Sequence, residues 1–332
     1  MKQVKFITGL MAFGVVSLFA GCGEKENEMT KVTLNEVAHS IFYAPQYVAL
    51  ENGYFTQEGL DLYLVTGYGA DKTMAAVISG EAQIGFMGAE ASVYAYLEGA
   101  NDPVINFAQG TQRAGNFLVA REEMADFQWS DLKGKEVLGG RKGGMPEMVF
   151  EYILKENGLD PAKELSIDQS IDFGSTAAAF SGGKGEFTVE FEPAATTLEK
   201  NGDGFVVASL GVDSGYVPYT SYSAKTSYVE KHPEIIQAFT DGLQKGVDYV
   251  NSHTAEEIAK VIQPQFKEND LDTITRIVER YQSQDTWKEN LVFEKESFEL
   301  LQDILESAGE LEKRADYEKL VTTIYAKEAM KK

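Results

Sequence analysis

From Lys31 onward the chain alternates short runs of adjacent apolar residues with longer stretches in which apolar residues return every three or four positions. Runs of the first kind suit strands, and the longer periodicity suits helices packed on them. The pattern predicts strands at Val32–Val37, Leu60–Val65, Gln83–Met87 and Val104–Gln109, with helices near Ala44–Asn52, Lys72–Ser79 and Ala91–Glu98 between them. The apolar segment Asn116–Ala120 ends at Arg121-Glu122-Glu123, where a first crossover is expected. A second set follows, with strands at Glu136–Gly139, Ser166–Phe173, Glu186–Phe191 and Gly204–Leu210 and helices at Pro146–Asn157 and Thr176–Phe180. Strand and helix in such repetition predict an α/β protein with mainly parallel sheets flanked by helices.

One phrase recurs in the two sets. Ala75-Ala76-Val77-Ile78-Ser79-Gly80 leads into a strand ending near Glu90, and Ala178-Ala179-Phe180-Ser181-Gly182-Gly183 leads into one ending near Glu192. The recurrence predicts two units of like construction. After a strand at Tyr219–Lys225 the pattern turns helical, with Ile236, Phe239, Leu243, Val247 and Val250 on one stripe and Thr254 with Glu257 as a capping box.

Composition narrows the function classes. The 332 residues carry 43% hydrophobic and 25% charged residues, as a globular two-domain chain would. A formal charge of −22 argues against nucleic acid and against adsorption to anionic lipid. With one cysteine, Cys22, and three histidines, neither a disulfide framework nor a Cys-based metal site is available, and no cofactor or metal is expected. There is no Gly-x-Ser-x-Gly elbow to make His39 and Ser40 a hydrolase pair.

The first residues give an address. Lys2 and Lys5 precede an apolar run from Phe6 to Ala20, which is ordered like a secretory signal and is short for a membrane span. Leu18-Phe19-Ala20-Gly21-Cys22 resembles the lipobox of bacterial lipoproteins, with Phe19 standing where Leu is commonest. The expectation is a signal peptide over 1–21, a lipid anchor on Cys22 and a polar tether over 22–30, placing the protein on the extracytoplasmic face of the cell membrane. The plainer reading is an ordinary cleaved signal with Cys22 unmodified.

The stretch Tyr43-Ala44-Pro45-Gln46-Tyr47-Val48-Ala49, followed by Gly53-Tyr54-Phe55 and Glu58-Gly59-Leu60, resembles the opening of ABC-importer solute-binding proteins for nitrate, sulfonates, taurine and thiamine-pyrimidine precursors. Ala75–Gly88, Asp131-Leu132-Lys133-Gly134-Lys135 and Phe191-Glu192-Pro193 extend the likeness over about 31–310. The resemblance implies a two-lobed Venus flytrap, the type II periplasmic binding protein fold, in which two crossovers join the lobes. Lobe 1 is expected at 31–122 and 220–332, and lobe 2 at 123–219. It also implies a small-molecule solute, a permease partner, a monomer and no enzyme activity. A related branch makes the thiamine pyrimidine, but with a histidine and a cysteine-rich motif that this chain lacks. A sensing rather than transporting lipoprotein is the further alternative.

Ligands of open α/β sheets bind where the carboxyl ends of the strands meet helix N-termini. On the implied fold, lobe 1 offers His39, Ser40, Tyr43, Tyr68, Gly88, Glu90, Gln109 and Thr111, lobe 2 offers Arg141, Lys142, Gly174, Ser175, Thr176, Glu190 and Glu192, and the return crossover offers Tyr219 and Tyr222. Plainer roles exist: His39 and Ser40 as helix caps, Glu90 and Glu192 as carboxylates at helix starts, Arg141 and Lys142 as a solvated pair. Two groups point to opposite solutes. Arg141 and Lys142 at a Gly-Gly helix start suit an oxyanion, whereas Glu190 and Glu192 beside Phe191 suit a nitrogen heterocycle stacked on Tyr43, Tyr68 or Tyr222. The lean is to the heterocycle, with sulfonate, taurine or nitrate as the alternative.

Overall fold

The computed structural model describes residues 29–332 except Asp172 and the side chain of Phe173. The expected signal peptide and Cys22 lie outside the described residues, as does the tether up to residue 28. Strands β1 (Thr30–Glu36), β2 (Leu60–Thr66), β3 (Ile84–Met87), β4 (Val104–Thr111), β5 (Asn116–Ala120), β6 (Glu136–Leu138), β7 (Ser166–Asp168), β8 (Phe187–Phe191), β9 (Phe205–Ser209) and β10 (Thr220–Lys225) form two five-stranded sheets. Their orders are β2-β1-β3-β10-β4 and β7-β6-β8-β5-β9. Thr30, assigned to the tether, already pairs with Leu60.

Both sheets are mixed in the same way. In the first, β1, β2, β3 and β4 run in one direction and β10 opposes them; in the second, β5 opposes β6, β7, β8 and β9. The reversed strand in each sheet is the one that arrives from the other lobe. Each lobe therefore has the order second, first, third, incoming strand, fourth. The helix Ala70–Ser79 feeds β3 and the helix Thr176–Ser181 feeds β8, so the recurring Ala-Ala phrase marks equivalent positions. β3 and β5 are buried along their whole lengths, as central strands covered on both faces must be.

The first crossover is not where the charges suggested. β5 pairs with β8 and β9, so Asn116–Ala120 belongs to the second sheet and the chain changes lobes within residues 112–115, not after Glu122. It returns between β9 and β10. Thr111 and Thr220, which flank the two crossings, are joined hydroxyl to hydroxyl at 2.7 Å.

The helical remainder begins with Pro233–Ser252, whose Ile236, Phe239, Leu243, Val247 and Val250 are buried. It crosses Ala44–Glu51 closely at Gly246, where a Cβ would stand 2.2 Å from the Pro45 carbonyl oxygen. The capping box forms: Glu257 accepts from the Thr254 N–H at 2.9 Å, and the Thr254 hydroxyl accepts from the Glu257 N–H at 3.3 Å. Residues after 220 were assigned to lobe 1, yet the helices Leu271–Ser283 and Lys295–Ser307 reach lobe 2. Arg280 binds Glu192 and Glu199, and Lys155 donates to the Ser307 carbonyl at 2.5 Å.

Candidate site between the lobes

The turn after β1 carries the first site residues. Ser40 caps Ile41–Tyr43 by accepting from the Phe42 N–H, and its hydroxyl donates across the lobes to the Glu192 carbonyl at 2.7 Å. Phe42 and Tyr43 then project into the space between the sheets. The Phe42 ring lies 5.1–5.7 Å from those of Tyr43, Phe191, Tyr219 and Tyr281, an aromatic cluster drawn from both lobes and the return crossover. The Trp287 indole donates to the Phe42 carbonyl at 2.9 Å, and the Tyr281 hydroxyl donates to the Gly115 carbonyl at 2.9 Å.

Glu90 opens the helix Glu90–Leu97 after β3. Its carboxyl folds back over Gly88, where a Cβ would stand 2.0 Å from Glu90 Oε2, so only glycine leaves room for it. The carboxyl lies against the backbone N–H of Met145, the first residue of the lobe 2 helix Met145–Glu156. Burial pushes its pKa up to about 7, against the pull of that N–H and its own. Oε2 is buried and has no hydrogen-bond partner among the described residues. Tyr219 stands nearby: burial first, then the charges of Tyr43, Glu90 and Tyr281, hold its phenol far above the usual value. Its hydroxyl donates to Asn116 Oδ1 at 2.5 Å, while Asn116 Nδ2 is buried without a partner among the described residues.

Tyr43, Gly88 and Glu90 from lobe 1, Asn116 and Phe191 from lobe 2, and Tyr219 from the crossover thus share one region. A void of about 10 Å³ beside Tyr43, bounded also by Phe86, Thr111, Tyr222, Leu243 and Trp287, has room for one water and lies inside lobe 1, with no lining residue from lobe 2. A larger open groove of about 280 Å³ lies outside, between β9 and the helix Leu271–Ser283, along Phe117, Val206, Ala208, Arg280 and Gln284.

Other residues named from sequence go elsewhere. His39 turns into lobe 1, where Nδ1 meets Glu36 Oε1 at 2.9 Å, Nε2 meets the Gln265 carbonyl at 2.9 Å, and the ring stacks on Phe266. Glu36 is fully buried and also accepts from Gln46, Tyr47 and Thr66, a polar hub that sequence reasoning missed. Tyr222 stacks on Phe86 at 4.0 Å and donates to Gln46. Gln109 donates to the Thr111 carbonyl and accepts from Lys288, and Thr111 holds Thr220. These contacts tie lobe 1 and the crossover strands together. Tyr68 is 74% exposed, and Gly174 and Ser175 are exposed.

Arg141 and Lys142, expected at an anion site, point outward to Asp71 at 2.9 Å and Glu310 at 3.5 Å. Glu190 accepts from the Thr188 hydroxyl at 2.6 Å and from Thr176, and burial raises it to about 7. Alternation along β8 turns Glu190 to that side and Phe191 towards Phe42. Glu192 is held by Arg280 at 2.5 Å and by the N–H and hydroxyl of Thr196, each at 2.9 Å. Burial still raises its carboxyl above the usual range, because desolvation exceeds the attraction of Arg280.

Two α/β lobes of like topology, joined by two crossovers with polar and aromatic residues converging between them, define the periplasmic-binding-protein fold. Solved structures agree. The alkanesulfonate-binding protein SsuA of Xanthomonas axonopodis pv. citri, bound to MOPS, superposes with a TM-score of 0.72 at 15% identity, covering 89% of this chain and 99% of that one. The periplasmic nitrate-binding protein NrtA of Synechocystis PCC 6803 gives 0.70 at 15% identity, covering 92% and 89%. The family described as NMT1/THI5 like matches residues 41–257. A relative from Bacillus subtilis (strain 168), named "Putative binding protein YtlA", is 46% identical over 302 residues, 91% of this chain and 90% of its own. The chain belongs to the NMT1/THI5-like family.

Proposed function

We propose that this protein is the extracytoplasmic solute-binding component of an ABC importer, anchored through a lipidated Cys22, and that it encloses a small nitrogen heterocycle between its lobes without transforming it. The observation that carries the choice of solute is Glu90, whose buried Oε2 has no donor among the described residues and which lies near Tyr43 and Tyr219. A flat ring with N–H groups supplies both the stacking surface and the donor. The basic residues that would favour an oxyanion, Arg141 and Lys142, are turned to acidic partners at the rim. The names of the SsuA and NrtA structures favour the second reading, a sulfonate or nitrate ligand.

Enclosing a solute between the lobes requires them to separate and close again, and the crossings at 112–115 and 210–219 are where the backbone would bend. A thermal-shift panel of aminopyrimidines, thiamine, flavin-like rings, taurine, alkanesulfonates and nitrate tests the reading. A true ligand at a hundredfold excess over Kd stabilises the protein by about 2.7 kcal/mol. The heterocycles are expected to raise Tm and the anions to leave it unchanged. Shifts from the anions alone would remove the heterocycle assignment.

A further inference from the structure

We infer that the Glu90 carboxyl occupies the oxyanion position of the gap, and that it sets specificity by turning sulfonate-type and sulfate-type solutes away. The inference rests on the gap between the lobes being the solute site. The helix Met145–Glu156 is twelve residues long and begins at Gly144, which has no side chain to cap it. Such a helix start presents N–H groups and positive dipole charge to an anion, here the N–H groups of Met145 and Glu147, since Pro146 between them has none. The charge facing it comes from the opposite lobe, where the Glu90 carboxyl lies against the Met145 N–H. Glu90 is 3% exposed, and its Oε2 has no partner among the described residues. Gly88 makes the placement possible, since any side chain there would overlap the carboxyl.

The surroundings reinforce the exclusion. Tyr94 of the Glu90 helix donates to the Gly143 carbonyl at 3.3 Å, and Glu147 accepts from the Gly143 N–H at 3.1 Å, so the helix start carries a further carboxylate. Arg141 and Lys142, the nearest basic residues in sequence, are directed to Asp71 and Glu310. An incoming oxyanion would meet a like charge out of reach of water, which costs more than the helix start returns. A solute bearing N–H groups meets the unpartnered Oε2 instead.

The test measures binding of methanesulfonate and inorganic sulfate by calorimetry to the wild type, Glu90→Gln and Glu90→Ala, at pH 8 and low ionic strength. Glu90→Ala removes both charge and bulk, while Glu90→Gln removes charge and keeps the shape, so a folding defect in one leaves the other informative. Circular dichroism and unliganded Tm report folding. At least one folded variant is expected to bind methanesulfonate or sulfate about tenfold or more tighter than the wild type, a change of about 1.4 kcal/mol. Equal affinity in all three proteins overturns the inference, as does tight oxyanion binding by the wild type. The outcome is separable from the heterocycle reading, which is decided by wild-type Tm with ring compounds.

Discussion

Replacing Arg280 with Met will destabilise the protein by about 3–5 kcal/mol, the cost of leaving a buried carboxylate without its counter-ion. The Glu192 side chain is fully buried and that of Arg280 is 25% exposed, with the pair at 2.5 Å. Arg280 also binds Glu199 at 3.0 Å and lies 5.1 Å over the Phe117 ring, so it ties a helix of the C-terminal part to lobe 2. Burial already raises the Glu192 carboxyl despite Arg280, so without Arg280 its charge has only Thr196 to hold it. Glu192→Gln in the same chain should recover much of the loss, because an amide can still accept from Thr196 and carries no charge to strand. Urea unfolding of the two single variants and the double variant measures this as a coupling energy. A loss under about 1 kcal/mol for Arg280→Met would show that the pair is screened by solvent as surface pairs are.

Stability should fall as pH rises from 5 to 8, with Glu90 and Glu190 as the main cause. Burial raises both to about 7 from 4.5, so between these values the folded protein holds protons that the unfolded chain has released. Stability supplied by such groups is fully present below pH 4.5 and is lost as pH passes through 7. The shift corresponds to roughly 3 kcal/mol per group. His39 acts in the same direction. Burial lowers its pKa, but the hydrogen bonds to Glu36 and Gln265 and the charges of Glu36 and Glu268 outweigh that and leave it raised. Its contribution is complete below 6.5 and disappears as pH passes its folded value. Glu147, raised to about 8 by burial and then by Glu151, adds to the slope. Tm measured across this range should drop steadily, and Glu90→Gln with Glu190→Gln should flatten the curve and raise Tm at pH 8. An unchanged slope in that double variant would mean that neither carboxyl is proton-linked to folding.

The alternating pattern carried most of the architecture, since strands buried on both faces and helices with one apolar stripe differ in period. It could not say which sheet an apolar run joins. Asn116–Ala120 is as apolar as a lobe 1 strand would be, and only its pairing with β8 and β9 assigns it to lobe 2. The recurring Ala-Ala phrase was informative because it sits before the third strand of each lobe. Position relative to strand ends singled out Tyr43, Glu90 and Tyr219, which the fold brings near one another. Partners remote in sequence decided the rest. His39 is claimed by Glu36 three residues earlier and by Gln265 more than two hundred residues later. Asn116 and Arg280 carried no local signal, one heading an apolar strand and the other lying within an amphipathic helix. Charge type indicates what a residue such as Arg141 attracts but not which way it faces, and here it reaches Asp71.

The two-lobe account is tested most directly by the crystal structure of the protein with whichever panel solute raises Tm furthest. The solute is expected between Tyr43 and Glu90 on one side and Asn116 and Phe191 on the other, with Tyr219 against it. A solute resting in the outer groove along Val206, Arg280 and Gln284, or touching one lobe alone, would contradict it.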